Sequence, residues 1–201
     1  MVVAKRLGHP LDHRPELDYA FGLPAWPVNT TRLNVTSARP LSEILPTEMA
    51  ELRVRPLFVL LADVAPPIIV GKTPGVDRRI GVVTGGRFEG ERLRGTLLPG
   101  GSDWQAIRPG DGAWLLNVRL ALKTDDEHIV SMTYPGIRRG PKEVLDRIAR
   151  GEVVNATEYY MRITPLFETS SDRYGWLNNI VSVGIGHRLR EGPIYHVFEV
   201  L

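Results

Sequence analysis

Within "LLPGGSDWQAIRPGDG", residues 97–112, an acid, an indole and an amide follow one another as Asp103, Trp104 and Gln105. They stand between Gly100-Gly101 and Gly110-Asp111-Gly112. Paired glycines let a backbone take positive φ and let another group approach closely. A carboxyl beside an indole sits in a partly apolar setting, which raises its pKa towards that of a useful general base. Asp103 is therefore the candidate base, with Trp104 and Gln105 on the wall of a pocket formed by a short loop. The same residues also fit an Asx-turn in which Trp104 plugs a core.

Two more clusters offer partners for such a base. In "EYYMRITPLFET" a period of two puts Glu158, Tyr160, Arg162 and Thr164 on one face and Tyr159, Met161 and Ile163 on the other. In a lumen, Arg162 would grip a carboxylate or enolate oxygen with its fork while Tyr160 donates a hydrogen bond, so both join Asp103 as candidate catalytic residues. A solvated face with one cation–π contact is the alternative. Glu168, just after Pro165 and Phe167, is a further acid. In "RYGWLNN", Tyr174, Trp176 and Asn178 would share a strand face, as a binding strip or as the aromatic end of a core. Asn117, Arg119 and Tyr134 could complete the lining, so Trp104, Gln105, Asn117, Arg119, Tyr134, Glu168, Trp176 and Asn178 are the candidate substrate-binding residues.

Other chemistries find no support. His9 and His13 are four apart, but Pro10 and Pro15 forbid the helix that would align them, and His128, His187 and His196 stand alone. "TGGRFEG" and "VGIGHR" lack the strand–turn–helix setting of a phosphate loop. No G-x-S-x-G elbow is present, and with no cysteine in the chain thiolate catalysis and disulfides are excluded. The expectation is an acid/base enzyme without metal or other cofactor, acting on a small carbonyl-containing metabolite as an isomerase, cyclase or lyase. A barrel that binds a small molecule without chemistry is the alternative.

Those side chains need a scaffold. The 201 residues are 43% hydrophobic and 24% charged, with a formal charge of +2, as expected of one globular domain with no field to collect nucleic acid or anionic membrane. The N-terminus lacks a continuous apolar core for a signal peptide. Asn29, Asn34 and Asn155 each begin an Asn-x-Thr sequon, yet a cytoplasmic location is expected. Residues 1–50 hold Pro10, Pro15, Pro24, Pro27, Pro40 and Pro46 without sustained periodicity and read as an extended arm. Its Leu17, Tyr19, Phe21, Leu23 and Trp26 would lie on its own domain or on a second subunit, making a homo-oligomer.

Residues 51–201 read as strands and turns. "AWLLNVRLALKTDD" sets Trp114, Leu116, Val118, Leu120 and Leu122 on one face, turns at Thr124–Glu127 and returns through "HIVSMTYPGIR". "RPLFVLLADV", "RIGVVTGGRFEG" with a bend at Gly85-Gly86, "RLRGTLLPGG", "ATEYYMRITPLFET", "RYGWLNNIVSVGIGHR" and "GPIYHVFEVL" supply the rest. "GPKEVLDRIARGE" is a helix, with Pro141 at its start and Gly151 past its end. Its apolar Val144, Leu145, Ile148 and Ala149 would pack on the sheet as a plug or lid. The fold class is mainly β: a single antiparallel β-barrel of about eight or nine strands, one short helix and the N-terminal arm.

From about Arg55 to Leu201 the chain resembles the domain-of-unknown-function family numbered 3237, also called uncharacterised protein family 0311. The likeness is carried by "RPLFVLLADVAPPIIVG", "TGGRFEGERLRGTLLPGGSDWQ", "LKTDD", "YYMRITPLFET" and "YGWLNNIVSVGIG". The resemblance implies one compact antiparallel barrel and no settled activity. The arm is not part of the usual domain, and Asn117 stands where relatives tend to have an aspartate, so an acid at that position is not available as a base here.

Overall fold

The computed structural model describes residues 39–201 and divides the chain into two units, Met1–Ile44 and Leu45–Leu201. Of the first unit residues 39–44 are described; they hold the one-turn helix α1 (Leu41–Ile44), whose side chains are all exposed. The rest of the expected arm, its apolar residues, His9, His13, Asn29 and Asn34 lie outside the described residues, as does most of the segment expected to join subunits. Where the last part of that segment is described it is not extended: α1 and a 3-10 turn at Thr47–Met49 replace the straight run.

The second unit holds β1 (Val54–Val64), β2 (Ile68–Lys72), β3 (Asp77–Glu89), β4 (Arg94–Leu97), β5 (Gly101–Ile107), β6 (Trp114–Thr124) and β7 (Ile129–Arg139). After these come α2 (Lys142–Ala149), β8 (Tyr160–Ile163), β9 (Leu166–Glu168), β10 (Ser182–Arg188) and β11 (Pro193–Val200). All pairings are antiparallel. β1, β3, β5, β6, β7, β8, β10 and β11 each pair with the next and β11 pairs with β1, closing an eight-stranded barrel. β2 extends β3, β4 bridges β3 and β6, and β9 pairs with β7. Closure removes the free edges that an open sheet would present. Among the described residues no helix is long and apolar enough to cross a membrane.

The alternation read from the sequence decides which side chains fill the barrel. On β6, Leu116, Val118, Leu120 and Leu122 are buried while Asn117 and Arg119 are exposed, and the whole strand pairs with β7 from Trp114–Arg138 to Lys123–Ile129. The expected bend at Gly85-Gly86 is a register shift between β1 and β3, where Asp63 faces Gly85 and Val64 faces Val83. At Gly86 φ is +134°, and a Cβ would stand 2.3 Å from the Leu61 carbonyl oxygen, so only glycine fits that close approach.

Two local expectations fail. Residues 101–107 form β5 rather than a loop, and "GWLNN" forms a 3-10 turn, Gly175–Asn179, rather than a strand. The first follows from the long β3, whose pairs from Asp77–Ile107 to Val83–Gly101 draw this segment into the sheet. The second follows from burial of Leu177, which a single 3-10 turn turns into the core beside Trp176.

The barrel has two unlike ends. At one, Phe58, Phe88, Leu122, Val130, Met132, Phe167 and Val197 are buried, with edge-to-face rings at 5.5 and 5.9 Å around Phe58. The buried Glu199 closes this end, accepting hydrogen bonds from Arg55 at 2.8 and 3.2 Å and from Arg92. Arg92 in turn lies 3.9 Å above the Trp176 ring. The other end is open, and α2 lies across it with Val144 and Ile148 buried.

Candidate functional site

A cavity of about 200 Å³ occupies the open half of the barrel. Its floor is Leu116, Val118, Leu120, Val83 and Met161, and Ile148 and Ala149 of α2 reach its rim. Above the floor the wall turns polar, with Asp103, Gln105, Tyr134, Tyr195, Arg79, Arg138 and Arg188, beside the indole of Trp114. The volume falls below the roughly 300–1,000 Å³ of sites for drug-sized ligands and suits a small metabolite.

Asp103 is set by an interruption of the sheet. The β5–β6 ladder pairs Ser102–Arg119, Asp103–Val118, Ala106–Leu115 and Ile107–Trp114, and skips Trp104 and Gln105. The Asn117 backbone N–H instead donates to Asp103 Oδ1 at 3.1 Å, and Gln105 Nε2 donates to Oδ2 at 2.8 Å. Burial nevertheless prevails: it raises the Asp103 carboxyl above its ordinary value, against these two hydrogen bonds and the positive charge of Arg138. Opposite Asp103 on β3 stands Gly81, where a Cβ would meet nothing closer than 3.5 Å. That glycine leaves space beside the carboxyl.

The phenols of Tyr134 and Tyr195 face the same space, their rings 5.6 Å apart and edge to face. Burial pushes both well above the ordinary phenol value, and the Asp103 charge adds to the effect, so both are neutral donors at physiological pH. The guanidiniums sit around Trp114: Arg138 lies 4.0 Å and Arg79 5.0 Å from its ring centre. Burial pulls Arg138 and Arg188 below the usual guanidinium value, and each also lies near the phenol of Tyr195. The Nε atoms of Arg79 and Arg138 are buried and meet no acceptor among the described residues. Among the described residues no three of His, Asp and Glu gather as metal ligands.

Of the residues expected from the sequence, Asp103, Gln105 and Tyr134 come together here. The others do not. Because β5 is a strand, Trp104 points opposite to Asp103 and is 50% exposed, so the indole near the carboxyl is not its sequence neighbour. Trp104, Asn117 and Arg119 meet instead in a shallow outer depression with Arg78 and Ser102. Asn117 serves Asp103 through its backbone only. Tyr160 and Arg162 lie on the outer face of β8, stacked on each other at 4.7 Å, because Met161 and Ile163 take the inner face. Glu168 is exposed on the short β9. Trp176 belongs to the sealed end, and the Asn178 side chain brackets Thr169, accepting from its N–H at 2.8 Å and donating to its carbonyl at 2.9 Å.

Sequence reasoning missed Arg79, Trp114 as a lining residue, Arg138, Arg188 and Tyr195. A signal existed for Arg138. Val130 and Met132 fix the inner face of β7, and the same parity carries through Tyr134 and Gly136 to Arg138. A polar pair continuing an apolar face belongs to β7, one strand before Tyr160 and Arg162.

The match to known proteins covers the barrel. The family model described as protein of unknown function (DUF3237) matches residues 52–200. A UPF0311 protein of Clostridium acetobutylicum is 33% identical over 155 residues, 77% of this chain and 98% of its own. A crystal structure of a conserved protein of unknown function from Rhodopseudomonas palustris superposes with a TM-score of 0.70 at 34% identity, covering 75% of this chain and 99% of that one. A β-barrel-like protein from Acinetobacter baumannii gives a TM-score of 0.65 at 36% identity, covering 75% and 97%.

Proposed function

This chain belongs to the DUF3237 family of proteins of unknown function, and we propose that its barrel is a cofactor-independent acid/base catalyst acting on a small carbonyl-containing metabolite. The observation that carries this reading is the Asp103 carboxyl, held in place by two donors, raised by burial, and facing two neutral phenols across a cavity. Asp103 would take a proton from the carbon next to the substrate carbonyl. The electron pair of that C–H bond moves into the C–C bond, and the carbonyl oxygen becomes an enolate oxygen. Tyr134, Tyr195 and Arg138 supply the donors that favour this charge in a site shielded from water. The proton on Asp103 then returns to a different carbon in an isomerisation, or passes to a departing group in an elimination. The roles first given to Tyr160 and Arg162 pass in this reading to residues that line the cavity.

One observation favours the non-catalytic alternative, a barrel that only carries its ligand. Both oxygens of Asp103 already accept a hydrogen bond, as a structural acid would. A thermal-shift screen of metabolites, followed by mass spectrometry and chromatography of the recovered ligand, separates the two. A ligand returned as an isomer, a cyclised form or an elimination product supports the catalyst; a ligand returned unchanged supports the carrier. With a substrate in hand, Asp103→Asn is expected to lower kcat by about 10²–10⁴ while binding persists.

A further inference from the structure

The charges in the cavity do not balance. Among the described residues its wall carries three guanidiniums, Arg79, Arg138 and Arg188, and one carboxyl, Asp103. Arg79 has a loose partner in Asp77 at 3.6 Å. Asp103 is the acid that acts on Arg138, and its two oxygens already accept from Gln105 and Asn117. Among the described residues no acid acts on Arg188, and its charge opposes that of Arg138. Burying a guanidinium without an anion is unfavourable, and a fold that keeps two of them beside one cavity retains an uncompensated positive charge. The buried Nε atoms of Arg79 and Arg138 make the same point atom by atom, since each is a donor without an acceptor among the described residues.

We infer that the cavity takes a small carboxylate, held by the fork of Arg138 against the Trp114 ring with Arg79 and Arg188 around it, and that this carboxylate is a second group of the molecule whose carbonyl faces Asp103. The inference rests on the reading of this cavity as the reactive site. The flat guanidinium of Arg138 lies 4.0 Å from the Trp114 ring centre, which fixes its plane and presents its edge for two parallel hydrogen bonds. Two coplanar oxygens match that edge. Leu116, Val118, Leu120 and Met161 leave an apolar floor for the rest of the molecule. The ligand class is therefore a small keto or enol acid, or an aromatic acid of similar size, with the anionic group at the guanidinium end and the reacting carbon at the Asp103 end.

Calorimetry on the full chain with matched acid and amide probes tests this: pyruvate with pyruvamide, succinate with succinamide and benzoate with benzamide. At least one acid is expected to bind about tenfold or more tightly than its amide, the size of one charge-assisted hydrogen-bond pair. Arg138→Met and Arg138→Gln should each erase that preference and melt no lower than the parent protein. The proposal is overturned if no acid in the panel binds at millimolar concentration, if the amides bind as well as the acids, if inorganic phosphate binds tighter than every carboxylate, or if the preference survives both Arg138 variants. Asp103→Asn keeps this test apart from the catalytic reading. It should leave acid binding intact or strengthen it; acid binding by a protein that returns every ligand of the metabolite screen unchanged removes the catalyst and keeps the anion site.

Discussion

The sealed end and the open end of the barrel treat charge in opposite ways. At the sealed end the buried carboxylate of Glu199 meets Arg55 and Arg92, and Arg92 rests on Trp176. The buried acid there is met by two cations. At the open end Arg138 rests on Trp114 in the same manner, yet its Nε finds no acceptor among the described residues and Asp103 is raised rather than lowered. The same building block, an arginine on an indole, completes the structure in one place and leaves it incomplete in the other. Native proteins hold unpaired buried groups at functional sites and compensate for them elsewhere, and here the well-packed end supplies that compensation.

The contrast can be attacked first through packing. Phe88→Ala at the sealed end leaves a cavity among Phe58, Leu60 and their neighbours and should cost about 3–5 kcal/mol in denaturant unfolding. A cost under 1 kcal/mol would mean that the packed end is not what holds the barrel. The next largest effect has the opposite sign. Arg138→Met replaces an uncompensated buried cation with an apolar chain of similar reach and should stabilise the unliganded protein by about 1–3 kcal/mol, read as a higher Tm. Destabilisation of that size would show that Arg138 already has its counterpart in the folded protein.

The two carboxylates give mirror-image pH behaviour. Burial pushes Glu199 upward, but Arg55 and Arg92 outweigh it and hold it below the ordinary value. Its contribution to stability is present above the unfolded value near 4.5 and is lost as pH falls through the folded one. Glu199→Gln should therefore cost about 1–3 kcal/mol at pH 7 and less at pH 4. Asp103 is raised, so the native state holds its proton more firmly than the unfolded chain and stability falls as pH rises from 3.8 through the folded value. Asp103→Asn should raise Tm by a few degrees at pH 7 and by less at pH 4. Two melting series across that range compare the ends directly; parallel profiles would abolish the distinction.

The smallest effect on folding belongs to Gly81→Val. Its Cβ has only ordinary contacts, and valine suits a strand, so stability should change by less than about 1 kcal/mol. Its branches extend into the space beside Asp103, so binding of whichever acid the calorimetry selects should be lost. Retained binding would place the ligand elsewhere.

Alternation along the chain made much of the barrel legible in advance. The β6–β7 hairpin, the kink at Gly85-Gly86, α2 and the run from Tyr195 to the end are all short-range patterns, written in residues that are neighbours in sequence. The site was legible at Asp103, Gln105 and Tyr134, and there from residue type rather than from strand parity. β5 was obscured by its paired glycines, which read as a turn although Gly101 is a strand residue, with a Cβ position 2.9 Å from the Arg119 carbonyl oxygen. Reading it as a loop placed Trp104 beside Asp103, when a pleat sends the two to opposite sides. Arg79, Arg188 and Tyr195 come from strands distant in sequence, and ring closure alone brings them together. A one-residue parity error on β8 was enough to exchange Tyr160 and Arg162 for Met161 and Ile163.

Trp114 also gives the molecule a means of observing itself. The emission of an indole depends on the electric field across its ring, and here that field comes from guanidinium groups 4.0 and 5.0 Å away. An anion arriving at Arg138 would cancel part of it and shift the wavelength, with no label attached. In a protein whose other described indoles are the half-exposed Trp104 and the core-packed Trp176, that colour change reports the occupancy of one spot.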